Sequence, residues 1–226
     1  MSNELEKFDE LIDGIPDELK TKAVGFLGEL VGQPLREVGN IVFDNIRYLR
    51  VKNQVNLLIK AREYFTSNGI QPKKIPMQIL VPLLEQGSLE EDETLSKKWT
   101  ALLINASKDE GYTVRPSYLD ILKQLTPLEA KILDYLYDAY IDFDFPLRHV
   151  KKRTYREFNI TEKDLLICVD NFLRLKLWNS ELPDKLYEII SKMGEEQEKL
   201  GLILYEKTTY SFTVLGKDFI KSCRTK

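Results

Sequence analysis

The sequence predicts a mostly α-helical protein in two units: a multi-helix N-terminal domain over residues 1–115, and an α+β domain over 116–226 that carries a two-stranded hairpin. Three observations lead there. Apolar residues recur at helical spacing through most of the 226 residues. Helix-start signatures punctuate that pattern, the fullest being Thr126-Pro127-Leu128-Glu129, with an N-cap, a proline at the first helical position and a capping-box glutamate. One stretch, LILYEKTTYSFTV at 202–214, alternates instead and is rich in β-branched and aromatic residues. A chain of this length buries a core without disulfide or metal staples.

Leu5, Phe8, Leu11 and Ile12 give a first helix over 2–13, and Pro16 opens a second near 17–31. Pro34 suits the first turn of a helix whose stripe runs Leu35, Val38, Ile41, Val42, Ile46, Leu49 and on to Phe65, with Asn68-Gly69 as its stop. Residues 70–76 read as a connector. The helix 76–87 contains Pro82, which should kink or divide it. Ser88 and Glu91 have the spacing of a capping box for a helix over 89–107, with Leu89, Leu95 and Trp99 on its apolar side. Pro116-Ser117 starts a short helix, 117–125. The helical core of the second unit opens at Thr126 with a helix over 127–140. There follow a loop at 142–146, a basic segment at 147–158, a Thr161-capped helix over 162–176 and a charged helix over 183–199. The hairpin turns near Lys207-Thr208, and a last helix covers 215–223.

Composition narrows the chemistry. There is one histidine, His149, and two cysteines, Cys168 and Cys223, far apart in sequence. Chemistry built on paired histidines or a Cys₄ zinc site is excluded, and no cofactor or metal is expected. Cys168 lies in the apolar run LLICV and should be a reduced core residue. The acids of SLEEDE (88–93) fan around a helix and read as a charged N-terminus, not a metal site. Asp142, Asp144 and His149 are the only grouping open to a nuclease-like reading, and their spacing is generic, so no catalytic residues are assigned. The N-terminus lacks the basic and apolar regions of a signal peptide, and the stretch AVGFLGELV (23–31) is too short to span a bilayer. A cytoplasmic protein is expected, with association at the periphery of the inner membrane as a further option.

The net charge of -3 is an average over asymmetric segments. Two lysines oppose seven acids over residues 1–20, whereas eight cations oppose three acids over 36–74. Arg148, Lys151, Lys152, Arg153 and Arg156 put five cations into nine residues, a candidate surface for phosphates or for an acidic partner. A second candidate is the segment with Gly25, Phe26, Gly28, Gly32 and Gly39 beside Arg36, Arg47 and Arg50. Its glycines suit close helix packing or transfer to a membrane surface. Asn105 is expected to be a buried amide bonded to a loop near Arg115.

Two resemblances add to this reading. The string TEKDLLICVDNFLRLKLW (161–178) looks like the third helix and first wing strand of a winged helix, and YSFTVLGKDFI (210–220) resembles the strand leading into a terminal helix, with Gly216 at the junction. Residues 179–200 would be an insertion in that plan. The acids at the start of helix 162–176 weigh against ordinary base readout. The strings KIPMQILVPLLEQGSLEEDETLSKKWTALLINAS (74–107) and VRPSYLDILKQLTPLEAKILDYLY (114–137), with the helix text before them, resemble the bacterial Abi-alpha (abortive infection alpha) family from about residue 25 to 140. That resemblance implies defence against phage and carries no catalytic residues with it. The expectation is therefore a defence protein that binds a protein partner, a phage component or a membrane, with self-association open. A winged-helix DNA-binding regulator is the alternative, and a nuclease-like toxin the more distant one.

Overall fold

A computed structural model describes residues 16–31, 48–108, 114–141, 144–181 and 208–225. The expected helices at 2–13 and 183–199, the first half of the long helix and the hairpin residues 202–207 lie outside these. The protein is mostly α-helical. Its contacts divide it into one unit of residues up to Leu125 together with Ser222–Lys226, and a second of Thr126–Lys221.

The first unit contains α1 (Asp17–Val31), α2 (Tyr48–Asn68), α3 (Met77–Gly87), α4 (Glu93–Ala106) and α5 (Pro116–Leu122). Helix α5, grouped with the second unit in the sequence reading, packs on α3 and α4. Helix α2 is the scaffold, since α1, α3 and α4 all pack on it. On α1 the residues Ala23, Phe26, Leu27 and Leu30 are buried at i, i+3, i+4 and i+7, as an amphipathic helix requires. Phe26 meets Phe65 of α2 with ring centroids 5.9 Å apart. Helix α2 ends at Asn68, and Gly69 takes the left-handed conformation (φ 64°) that terminates it.

Four local expectations are corrected. Pro82 does not divide α3, which runs unbroken from Met77 to Gly87; the carbonyl it leaves unpaired is that of Gln78, an exposed residue that water can reach. Ser88 does not cap the following helix. Its hydroxyl donates to the Glu85 carbonyl (2.7 Å), closing α3, and α4 starts at Glu93 behind Asp92, whose Oδ1 accepts from the amides of Thr94 (2.8 Å) and Leu95 (3.1 Å). Leu89 is accordingly in the turn and exposed. Asn105 does not bond near Arg115: its Nδ2 donates to the carbonyls of Ser222 (2.8 Å) and Arg224 (2.9 Å), fixing the C-terminal residues to α4. Gly25 is not a close-packing glycine, because it is exposed and an added Cβ would meet nothing within 4 Å.

The second unit contains α6 (Pro127–Tyr140), β1 (Phe145–Pro146), α7 (Leu147–Phe158), α8 (Glu162–Arg174), β2 (Trp178–Glu181), β3 (Thr209–Phe212) and α9 (Val214–Ser222, its last residue counted with the first unit). The expected capping box at Thr126 is formed: Thr126 N donates to Glu129 Oε2 (2.7 Å), and Glu129 N donates to Thr126 Oγ (3.2 Å). Strand β3 is central in a three-stranded antiparallel sheet of order β1–β3–β2, with Trp178 opposite Phe212 and Phe145 opposite Tyr210. So short a sheet would be marginal alone. It is held by aromatic packing: Trp178 lies 4.8 Å from Phe172 of α8 and 5.2 Å, edge-on, from Phe145. The second unit thus runs helix, strand, helix, helix, strand, strand, helix, an α+β succession.

Candidate functional site

Helix α7 is the basic segment of the sequence, and its period decides which cations are outward. Val150 and Thr154 are buried, and Phe158 is half-buried below them, giving an inner line at i, i+4 and i+8. The Thr154 hydroxyl satisfies itself on the Val150 carbonyl (2.9 Å). Lys152, Arg153, Arg156 and Glu157 are exposed, and of these Lys152 and Arg156 lie opposite the inner line. Lys151 is half-buried, and its Nζ lies 3.3 Å from Glu162 Oε1 at the start of α8. The Arg153 guanidinium sits over the ring of Tyr135 on α6, 5.6 Å from its centroid. Tyr135 is braced in turn by the edge of Phe158 (5.5 Å). The five cations therefore do not act as one group. Lys151 and Arg153 are tied to neighbouring helices, Lys152 and Arg156 project freely from the same rigid element, and the side chain of Arg148 lies outside the described residues, as does that of His149.

The acids at the start of α8 have structural partners. Asp164 accepts from the amide (2.9 Å) and hydroxyl (2.7 Å) of Thr161, and these two hydrogen bonds hold its carboxyl below the ordinary range. Deeper in the unit, Glu129 is buried. Its Oε1 accepts from Asn171 Nδ2 (2.7 Å), and its Oε2 accepts from Thr126, so α6 and α8 are pinned by a satisfied carboxylate. Cys168 packs beside it. Burial first, and the Glu129 charge second, push its thiol up to about 12, which disfavours the thiolate at neutral pH. Both cysteines are free and buried.

In the second candidate segment, Phe26 belongs to the core, Gly28 is half-buried and Gly25 is open. Gly32, Arg36, Gly39, Arg47 and the Arg50 side chain lie outside the described residues, as does Asp142; Asp144 is exposed. Among the described residues no group of three or more metal-ligating side chains converges, and no helix is long and apolar enough to cross a membrane. Sequence reasoning missed Ile167, which is 55% exposed on α8. The signal was present, since the inner stripe Leu165, Cys168, Val169 and Phe172 leaves position 167 on the outer side.

No curated protein and no solved structure matches the sequence. A family model described as abortive infection alpha matches residues 52–223, which spans α2 through α9 and so takes in both units. The chain belongs to the abortive infection alpha family.

Proposed function

We propose that the protein acts in abortive infection by contact and not by catalysis, docking the outward face of α7 onto an acidic protein surface. Family membership associates the chain with abortive infection, a defence against phage. The observation that carries the reading is the pair Lys152 and Arg156, one helical turn apart and exposed on a helix locked in place by buried Val150 and Thr154. Cations held by a rigid element meet carboxylates with little ordering cost. A nucleic acid is the poorer fit, because Glu162 and Asp164 open the next helix, where phosphates would be repelled. A lipid surface is poorer still for α1, whose apolar residues are buried in the first unit.

The test is a Lys152→Glu/Arg156→Glu variant, which leaves Lys151 and Arg153 in their structural contacts. Plaque counts on cells carrying it should rise to those of unprotected cells, while far-UV circular dichroism stays that of the wild type. Full protection by a folded variant overturns the reading. Duplex DNA binding at low salt, lost in the same variant, would replace the protein partner with nucleic acid.

A further inference from the structure

Helix α8 has an outward face of its own. Lys163, Ile167, Asp170 and Arg174 are exposed, spaced four, three and four residues apart, with Leu166 half-buried beside them. Isolated exposed apolar residues are ordinary. Here the isoleucine sits between opposite charges, Lys163 four residues before it and Asp170 three residues after. A second copy of α8 laid antiparallel about a two-fold axis between Leu166 and Ile167 brings the Lys163 of each copy against the Asp170 of the other, with the two isoleucines beside the axis and about 1.5 Å out of register. The next antiparallel register, centred between Ile167 and Asp170, opposes Lys163 to Arg174 and Ile167 to Asp170. Parallel alignment sets like charge on like. Only one arrangement satisfies all three residues, and it is the self-complementary one that an isologous two-fold contact requires. Asp170 has contacts within its own chain, and an ionised carboxylate accepts more than one donor.

We propose that α8 is a self-association surface on which two copies of this chain pair antiparallel beside Ile167, joined by two reciprocal Lys163–Asp170 ion pairs. A helix of 13 residues is about 20 Å long, so the contact falls below the standard size of stable interfaces and makes a reversible dimer. Pairing also doubles the α7 face, which raises the avidity for any partner with repeated sites. The proposal concerns α8 alone, so variants of α7 leave it intact.

The experiment is sedimentation velocity of the full chain across the micromolar range. A concentration-dependent dimer is expected, abolished by Ile167→Glu. Lys163→Asp and Asp170→Lys should each weaken it by about tenfold, and the double variant should restore it, because the swapped charges again oppose each other. All three positions are exposed, so far-UV circular dichroism should be unchanged throughout. A monomer at every concentration overturns the proposal. A dimer indifferent to Ile167→Glu, or a double variant no stronger than either single, overturns it equally.

Discussion

Gly216→Ala should be among the most damaging single-methyl additions in the second unit. Gly216 is the third residue of α9, and the chain there is pressed against the bend that precedes β2. A Cβ on residue 216 would lie 2.2 Å from the Leu177 carbonyl oxygen and 2.9 Å from its carbon. Those atoms are backbone, so no rotamer change relieves the clash. The bend is itself held by Thr213, whose amide donates to Leu177 O (3.0 Å) and whose hydroxyl donates to Lys176 O (2.7 Å) while accepting from Gly216 N (2.8 Å). Opening the contact by the ångström or more that a methyl needs breaks this set. Overpacking costs roughly 1–3 kcal/mol, and a lost N-cap adds about 1 kcal/mol. The gain in helix propensity from glycine to alanine returns up to about 1 kcal/mol. A net loss of about 1–3 kcal/mol should appear in urea unfolding as a lower midpoint with the slope unchanged. Stability equal to the wild type would refute the reasoning, since it would mean that α9 does not press on Leu177.

The other glycines separate by the same geometry. Gly25→Ala, with nothing within 4 Å of the new methyl, should stabilise by about 0.4–1 kcal/mol in the same assay. Gly87→Ala meets Leu57 Cδ1 at 2.7 Å, the end of a side chain that can turn away, so a loss of about 1–2 kcal/mol is expected, smaller than at Gly216. Asn105→Ala removes both donors from the Ser222 and Arg224 carbonyls; it should cost about 1–2 kcal/mol and speed amide exchange in the last residues. Cys168 should resist alkylation in the native protein at pH 8 and react on unfolding. Its contribution to stability is full below the ordinary thiol value of 9.0 and is lost as pH rises through about 12, because the unfolded thiol ionises first.

What the sequence made legible was local. The box at Thr126 is complete within four residues, and the structure forms it; Asn68-Gly69 stops α2 for an equally local reason. The serine at 88 shows where that logic fails. Its spacing to Glu91 fits a cap, but its hydroxyl is already spent on the Glu85 carbonyl at the end of α3. Asp92 then takes the cap. Asn105 was unreadable for a different reason, since its partners are more than a hundred residues away and one of them lies beyond the last helix. Period alone could have exposed Ile167, had the LLICV run been divided by face and not read as uniformly apolar.

The candidate site changed for the same reason. Five cations in nine residues look like one positive patch, and the patch invited phosphate. An α-helix distributes consecutive residues about 100° apart, so such a run cannot all face one way. With Val150 and Thr154 inward, Lys151 is brought beside Glu162 and Arg153 onto the Tyr135 ring. Two of the cations thus hold α7 against its neighbours. The exposed pair Lys152 and Arg156 is too small to supply the phosphate contacts of a typical duplex binder, which neutralises several phosphates at once. It is large enough for one acidic site, and more effective if every complex presents it twice. In the two proposals the surfaces have separable roles: α7 would supply the charge that meets the partner, and α8 the second copy that makes so small a contact hold. Their variants should part accordingly, with Lys152→Glu/Arg156→Glu abolishing protection without touching dimerisation, and Ile167→Glu abolishing dimerisation while leaving weak, monovalent contact behind.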